Sequence, residues 1–373
     1  MGLPYSSTAL WRLTEGSNGP DRERSRVSTS TGIEGRSLEK PARIRTLADL
    51  AKLAGVNTAT VSRALADSPL VKTDTKARIQ ALAQEHGFRP NQMAKRLRTQ
   101  RTGVVGVVVP LGHEKRQHLS DPFFMAMLGH LADALTENGY DIMLSRVIPN
   151  TPDWLEAVIG SGMLDGVLLI GQSDQFEAIE RAAAHYRPLV AWGSHWPEQA
   201  HCSVGTDNFA GGRMAGDRLV AGGARRVAFL GEVRTPEISQ RHAGLCAALQ
   251  SAGLAAPLQF DVHLASDVME QEISAHIAKV GDAIDGIFAA SDVIAMTTLR
   301  VLADRGVAVP GQIRVIGYDD IPLAAQTVPR LTTVRQDIAT GAKAMVEALF
   351  ARIGGEDAAS VQMTPVLVGR DSA

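Results

Sequence analysis

The pattern of apolar and polar positions divides the chain into two parts. Between residues 44 and 86, apolar residues recur at the three- and four-residue spacing of amphipathic helices. The run GVVGVVVP, which ends at Pro110, is instead continuously apolar and β-branched, as is typical of a strand buried on both faces. From there strand-like and helix-like segments alternate in two series, the second beginning near Gly211. The sequence predicts a small helical unit followed by an α/β part, in which two parallel sheets are each covered by helices.

The helical part begins with two short helices joined by a tight turn. The segment TLADLAKLAG predicts the first helix, with Thr46 as its N-cap and Gly55 at its end. The segment NTATVSRAL predicts the second, with Asn57 as its cap. Val61 and Leu65 of this second helix are spaced so that both point towards a small core.

Two further helices are predicted before the α/β part. The segment TDTKARIQALAQEHG predicts a third helix, capped by Thr73 or Asp74 and closed by Gly87. After Pro90, the segment NQMAKRLRTQRTG predicts a short, polar and basic helix that leads into a linker. Residues 1–43 are rich in Ser, Thr, Gly and Arg without apolar periodicity, and we expect them to form a disordered tail.

Composition restricts the class of protein. A chain of 373 residues is expected to form two or three domains, and 45% hydrophobic with 21% charged residues is typical of soluble globular proteins. No apolar run approaches the roughly 20 residues that cross a bilayer, and the first residues lack the apolar core of a signal peptide. We therefore expect a cytoplasmic protein without a membrane partner.

The sequence contains no pattern of an enzyme or a metal protein. Cys202 and Cys246 are too few for a disulfide framework and do not have metal-ligand spacing, and the ten histidines show no paired-ligand motif. The segment GGRMAGDRLVAGG lacks the Lys-Ser/Thr pair of a phosphate-binding loop. We therefore expect no catalytic residues, no metal and no cofactor.

The net charge of −2 conceals an asymmetry. Residues 43–103 hold 12 Lys and Arg against 4 Asp and Glu, whereas the part of the chain that follows is strongly acidic. A basic block on an acidic body suggests contact with a polyanion, although charge alone favours an ordinary solvated basic face.

The segment GVNTATVSRAL, residues 55–65, has the features of a helix-turn-helix. In such a motif the second helix lies in the major groove, and its exposed side chains contact base edges. Arg63 can bind guanine through two hydrogen bonds, and the methyl groups of Thr58 and Ala59 can contact thymine. The same segment could begin an ordinary surface helix, and the surrounding positive charge favours DNA. The candidate DNA contacts in this part are Thr46, Asn57, Thr58, Ala59, Thr60, Ser62, Arg63, Lys72 and Thr75.

These segments, taken in order, resemble the lactose/galactose repressor (LacI/GalR) family. The resemblance begins with TLADLAKLAGVNTATVSRAL and continues through DPFFMAMLGHLADALTENGY, GTDNFAGGRMAGDRLVAGG and VIGYDDIPLAAQTVPRLTTVRQD. It covers nearly all of the chain after Arg45. It implies a bacterial transcription factor that binds a pseudo-palindromic operator as a homodimer. It also implies a core shaped like a periplasmic sugar-binding protein, with a small-molecule effector, a sugar or sugar derivative, between its lobes.

The resemblance makes NQMAKRLRTQ a hinge helix, which in this family pairs with its partner's at the minor groove. Leu97 matches the leucine that wedges into the central base step, with Ala94 beside it and Asn91 near the start of the helix. Arg98 follows the wedge at a position where the family often has a small residue. The alternative is a linker helix whose Leu97 packs on the neighbouring lobe.

The resemblance also indicates polar effector contacts at the ends of strands. Arg241 matches the family's effector-clamping arginine, although it could instead form a surface pair with Glu237. Asp319 follows the strand VIGY, where a helix-capping aspartate would look the same. Two more candidates, the pair Ser291 and Asp292 and the crossover residue Gln336, match polar positions at the cleft.

Aromatic candidates complete this prediction. Phe123, Phe124 and Trp192 could stack on the apolar face of a sugar ring. Phe123 could equally serve the core or a dimer interface, and Trp192 could be buried so that Gly193 and Ser194 face the ligand instead. Where relatives have an aromatic or large residue, this chain has Ala265, so the identity of the effector does not follow from the family.

The predicted organisation is an α/β protein with an N-terminal three-helix helix-turn-helix headpiece. The boundaries are a tail at 1–43, the headpiece at 44–89, a hinge helix and linker at 90–102, and a two-lobed core at 103–373. We expect the first lobe at about 103–205 and 336–360, and the second at about 206–335 and 361–373. The alternatives to a repressor of carbohydrate genes are a sugar-binding protein of transport type and a regulator whose core senses a protein partner. An α/β enzyme is a further alternative, which the absence of a catalytic motif disfavours.

Overall fold

The computed structural model describes residues 44, 46–88, 101–112, 115–196, 198–265 and 268–373 of the chain. The predicted tail at 1–43 and most of the predicted hinge segment lie outside these residues. The chain divides into two compact units, residues 1–90 and 91–373, each of which is described by itself. No helix in the described ranges is long and apolar enough to cross a membrane.

The described residues of the first unit form three helices, α1 (Leu47–Ala54), α2 (Thr58–Leu65) and α3 (Thr73–Glu85). The predicted caps of the first two helices are confirmed. The Thr46 hydroxyl accepts from the Asp49 amide at 3.1 Å, and the Asp49 carboxylate accepts from the Thr46 amide, which together form a capping box. The Asn57 side chain accepts from the Thr60 amide at 2.7 Å.

The three helices enclose a small core. Val61 is completely buried, as predicted, and Leu65 packs against the core while remaining partly exposed. The predicted cap of α3 by Thr73 or Asp74 is wrong: the residue at the N-cap position is Lys72, whose side chain makes no capping hydrogen bond. The helix begins one residue earlier than a Thr73 cap would require, so Thr73 and Asp74 lie in its first turn.

In the second unit, the part that the structure describes forms two six-stranded sheets. In the first sheet the order is β11-β5-β4-β3-β1-β2 and all neighbours are parallel. In the second the order is β12-β10-β9-β8-β6-β7, and only β12 is antiparallel to its neighbour. The strands are β1 (Val104–Pro110), β2 (Asp141–Val147), β3 (Gly166–Ile170), β4 (Leu189–Trp192), β5 (Cys202–Thr206), β6 (Val227–Leu230), β7 (Leu258–Phe260), β8 (Gly286–Ala289), β9 (Arg314–Asp319), β10 (Thr332–Arg335), β11 (Val361–Met363) and β12 (Val366–Val368).

Helices cover the sheets because the connections between parallel strands must cross over them. The central strands β3 and β8 are buried along their whole length and β1 is buried except at Val104, and this explains their continuous apolar runs. The helices are α4 (Pro122–Glu137), α5 (Trp154–Ile159), α6 (Phe176–Ala183), α7 (Asn208–Ala221), α8 (Pro236–Ser251), α9 (Met269–Val280), α10 (Asp292–Asp304) and α11 (Ile338–Ile353), with short 3₁₀ turns at Gly281–Ala283 and Pro322–Ala325.

We call each sheet with its helices a lobe, and the chain crosses between the first and second lobes three times. It leaves the first after β5, returns before α11 and leaves again after β11. The predicted boundary at 360/361 is therefore wrong, because β11 pairs with β5 in the first sheet.

Candidate functional site

Helix α2 presents the candidate base-reading side chains to solvent. Thr58, Ala59 and Arg63 are exposed, and Thr60 and Ser62 are half-buried. The Thr60 hydroxyl donates to the Asn57 side chain at 2.9 Å, so these two residues are engaged in starting the helix. We call Thr58, Ala59 and Arg63 the recognition surface.

The basic residues around α2 differ in whether they form an ion pair. Lys76 forms an ion pair with Asp67 at 2.7 Å, whereas Arg63 and Lys72 have no ion-pair partner among the residues that the structure describes. Lys72 is exposed and Thr75 is half-buried, beside the start of α3. The four hinge candidates, Asn91, Ala94, Leu97 and Arg98, lie outside the described residues.

A cleft of about 110 Å³ lies between the two lobes, at the carboxyl ends of their central strands. This is the edge at which open parallel sheets bind ligands. The cleft brings together seven of the eight predicted effector contacts: Phe123, Phe124, Trp192, Arg241, Ser291, Asp319 and Gln336.

Arg241 is buried on α8 and its position is determined by three contacts. Its Nε donates to the Asn208 side chain at 2.8 Å, and its Nη1 donates to the carbonyl oxygen of Ala290 at 2.6 Å. Its guanidinium lies over the ring of Tyr318. The alternative of a surface pair with Glu237 is not observed, because Arg241 is only 7% exposed and no carboxylate among the described residues lies within ion-pair distance of it.

Asp319 is the last residue of β9 and has a φ of +115°, a conformation that a non-glycine residue adopts only at a cost of about 1–3 kcal/mol. Its carboxylate accepts from the Gln336 amide at 2.7 Å. Burial raises the pKa of Asp319 to about 7, although Arg241 and the Gln336 hydrogen bond act in the opposite direction. Strained, buried carboxyl groups of this kind are concentrated at functional sites.

Ser291 and Asp292 have different positions despite being neighbours. The Ser291 hydroxyl caps α10 and also faces the cleft. Asp292 does not line the cleft, so its prediction as an effector contact is corrected. Its carboxylate is fully buried and accepts from the Thr333 hydroxyl at 2.5 Å and from the Ile321 amide at 2.9 Å. Asp292 therefore joins α10 to β10 and to the segment after β9.

The three aromatic residues form a cluster on the first-lobe side of the cleft. The ring centroids of Phe123 and Phe124 are 5.9 Å apart, and those of Phe123 and Trp192 are 6.3 Å apart. Trp192 is only 3% exposed, because α11 packs on its indole at Gly341, where a Cβ would lie 2.2 Å from the ring. Trp192 thus reaches the cleft while serving mainly as a core residue.

The cleft also contains residues that the sequence did not indicate. Asp121 caps α4, where its carboxylate accepts from the Phe123 amide at 2.9 Å and from the Gln117 side chain at 3.1 Å. Glu237, in the first turn of α8, accepts from the Ser194 amide at 3.3 Å. Burial raises the pKa of both carboxyl groups. The added lining residues include Gln117, Asp121, Ser173, Thr235, Glu237 and Leu264.

Hydrogen bonds across the cleft connect the lobes next to Arg241. The Ser194 hydroxyl, which follows β4, donates to the Gln240 side chain on α8 at 3.0 Å and accepts from the Asn208 side chain at 3.2 Å. Asn208 in turn accepts from Arg241. The expectation that Ser194 could face the ligand is therefore replaced by a role in joining the lobes.

Each of the two units matches a known family of domains. Residues 46–91 match the bacterial regulatory proteins of the lacI family, and residues 217–373 match a periplasmic binding protein-like domain. The transcriptional regulator CelR of Thermobifida fusca is 31% identical over 331 residues, which is 85% of this chain and 94% of CelR. GalS of Salmonella typhimurium is 31% identical over 88% of this chain and 96% of GalS.

Solved structures have the same architecture. A CelR–cellobiose complex superposes with a TM-score of 0.62 at 29% identity, over 88% of this chain and all of that one. The lac repressor dimer bound to operator and the anti-inducer ONPF gives a TM-score of 0.75 over 88% of this chain and 98% of that one; at 22% identity, this supports the fold alone. The similarity to CelR and GalS across both units shows that the chain belongs to the lacI family of bacterial regulatory proteins.

Proposed function

We propose that this protein is a transcriptional repressor of carbohydrate genes whose affinity for its operator is controlled by a sugar bound in the cleft. The observation that carries the proposal is the placement of Arg241 and Asp319 at one interlobe cleft, in a chain whose other unit is a helix-turn-helix. The relative CelR has been solved with cellobiose, which supports a sugar as the ligand class.

The chemistry of the cleft suits a sugar. Carboxylates can accept hydrogen bonds from hydroxyl groups, Gln336 can both accept and donate, and the guanidinium of Arg241 can donate to two adjacent oxygens. The rings of Phe123 and Phe124 offer apolar faces to the carbon–hydrogen side of a sugar ring. These groups bind and orient a ligand, and we assign none of them a catalytic role.

Regulation follows from contacts that differ between open and closed lobes. A sugar that touches both lobes favours the arrangement of this structure, in which the Ser194 amide donates to Glu237 and the Ser194 hydroxyl donates to Gln240. It can change DNA affinity only by the difference between its affinities for the two arrangements. The protein would act in the cytoplasm as a homodimer on a pseudo-palindromic operator, with Leu97 as the minor-groove wedge.

Selection of bound DNA from a random pool by the full chain, repeated with candidate sugars, tests the proposal. We expect a two-fold symmetric site to be enriched and one sugar to change that enrichment. Failure to enrich any sequence would contradict the DNA-binding function. If no sugar or sugar phosphate raises the thermal unfolding temperature, the effector assignment is wrong.

A further inference from the structure

Acidic groups outnumber basic groups among the described residues that line the cleft. Among these described residues, three carboxyl groups face the cleft, Asp121 from the first lobe and Glu237 and Asp319 from the second, against the one guanidinium of Arg241. Within the described part of the chain, none of these carboxyl groups has an ion-pair partner. Two donors of Arg241 are already used on the neutral oxygens of Asn208 and Ala290, so its charge is not paired at contact distance with a carboxylate.

The carboxyl groups are held in place by neutral donors. Asp121 accepts from the Phe123 amide and the Gln117 side chain, Glu237 from the Ser194 amide, and Asp319 from Gln336. Neutral hydrogen bonds fix the geometry of a carboxylate but leave its charge uncompensated. Burial accordingly raises the pKa of all three groups. A bound cation would favour their ionised forms, because an opposite charge at 4–6 Å lowers a carboxyl pKa.

The aromatic cluster adds a second feature that suits a cation. Phe123, Phe124 and Trp192 line the cleft on the same lobe as Asp121. Aromatic faces attract ammonium groups, and the attraction is strongest where water is excluded. The same faces pack on sugar rings, so one ligand can satisfy the aromatic, hydroxyl-binding and carboxylate groups together.

We infer that the effector is a sugar that carries a basic nitrogen, an amino sugar, and that its ammonium group lies among Asp121, Glu237 and Asp319 while its ring packs on Phe123 and Phe124. The inference rests on the proposed sugar-binding function and specifies its ligand class. Anionic sugars such as uronic acids are disfavoured, because a like charge would be buried beside the carboxylates.

Calorimetric titration of the full chain at pH 7 with matched hexoses tests the inference. The set contains glucosamine, galactosamine and mannosamine, their parent hexoses, their N-acetyl forms and the corresponding uronic acids. We expect one amino sugar to bind at least tenfold tighter than its parent hexose, which corresponds to about 1.4 kcal/mol. N-acetylation, which removes the charge, should abolish this preference.

The outcomes separate this inference from the proposed function. A parent hexose that binds as tightly as its amino form, or a uronic acid that binds best, overturns the amino-sugar inference and leaves a sugar effector in place. Absence of binding by every hexose, together with no stabilisation by a wider sugar panel, would instead contradict the sugar-effector function itself.

Two variants test whether Asp121 and Glu237 bind the ammonium group of the sugar. Asp121→Asn keeps a side chain that can cap α4, and Glu237→Gln keeps the size of its side chain, while each removes a negative charge. Each is expected to weaken amino-sugar binding more than parent-hexose binding and so to reduce the preference severalfold. Asp133→Asn, on the exposed face of the same helix as Asp121, is the matched control and should leave the preference unchanged. If neither cleft variant reduces the preference, the inference is wrong.

Discussion

The guanidinium of Arg241 lies over the ring of Tyr318, with its Cζ atom 3.7 Å from the ring centroid. Tyr318 is completely buried in β9 and directly precedes Asp319. The ring that supports Arg241 and the carboxylate of Asp319 therefore belong to the same strand. This arrangement presents the guanidinium already oriented, and it reduces the conformational entropy that a ligand would otherwise have to remove.

Arg241→Lys is expected to weaken sugar binding by tenfold or more. A lysine keeps the charge, but it lacks the planar fork that bonds Asn208 and Ala290 while stacking on Tyr318. Calorimetry with the sugar identified by selection measures the change. Arg213→Lys on the exposed face of α7 is the control and should bind as the parent protein does. Equal affinity in Arg241→Lys would show that the arginine is not an effector contact.

The close contact between α7 and α8 also helps to determine the position of Arg241. A Cβ on Gly244 would lie 2.0 Å from the carbonyl oxygen of Phe209, so the two helix backbones touch there. Gly244→Ala must separate them, and we expect it to lower the free energy of unfolding by about 2–3 kcal/mol, the upper part of the range for overpacking. Because Gly244 is one turn from Arg241, sugar affinity should fall as well.

Urea denaturation of Gly244→Ala and of a control on the same helix checks this expectation. Ser239→Ala changes an exposed residue and should leave stability the same or slightly higher, since alanine favours helices. A Gly244→Ala protein as stable as the parent would mean that the helices are not in backbone contact.

The headpiece was largely predictable because its signals are local. The caps Thr46 and Asn57 bond amides three residues away, so sequence spacing alone identifies them. The start of α3 was missed because Lys72 makes no side-chain cap bond, and the cap signal at Thr73 and Asp74 is therefore misleading. β11 was assigned to the wrong lobe because its pairing with β5 involves residues about 157 positions apart.

From the residues alone, the polar part of the cleft was predictable only where a side chain follows a strand directly, whereas Arg241 on α8 was identified from the resemblance to the LacI/GalR family. Ser291 and Asp319 were found by their position after a strand. The sequence could not tell that Ser291 faces the cleft and Asp292 does not. The rotation of α10 at its first residues decides this, and no local pattern records that rotation. Asp121 and Glu237 were missed because they meet only when the two lobes come together, and no local pattern records that contact.

Asp319→Asn should change the pH dependence of stability in the ligand-free protein. The folded-state pKa of about 7 lies above the ordinary carboxyl value near 4. Between these pH values the folded protein holds a proton that the unfolded chain has lost, so this group's contribution to stability is complete below about pH 4 and is lost as the pH rises to 7. Asparagine does not titrate, and like aspartate it tolerates a positive φ.

The expected result is a variant whose stability relative to the parent increases with pH. Its advantage should be smallest near pH 4 and about 2 kcal/mol greater at pH 8, less than the full three-unit shift would give because the surroundings relax. The groups that influence Asp319 are Arg241, Gln336, Asp121 and Asp292, and neutralising Asp319 also relieves its repulsion of Asp292. Urea denaturation at both pH values measures the difference in the free energy of unfolding between variant and parent. If that difference does not change with pH, the raised pKa of Asp319 is contradicted.

Arg63 and Lys72 should affect DNA binding in different ways, although both are exposed cations of the headpiece. Arg63 lies on the recognition surface of α2, and we propose that it bonds a guanine edge, so Arg63→Ala should cost about 1–3 kcal/mol at one base pair and relax the choice of base there. Lys72 lies at the start of α3, and we propose that it contacts phosphate. Lys72→Ala should weaken binding to all sequences alike and reduce the salt dependence by about one counterion.

Titration of operator variants at several salt concentrations separates the two effects. Each protein serves as the control for the other, because both lose one positive charge from the same unit. If Arg63→Ala keeps the parent's base preferences and only reduces the salt slope, Arg63 contacts phosphate and base selection must lie elsewhere. If Lys72→Ala changes base preference at a single position, the phosphate role is wrong, and α2 would not be the only helix of this unit that reads sequence.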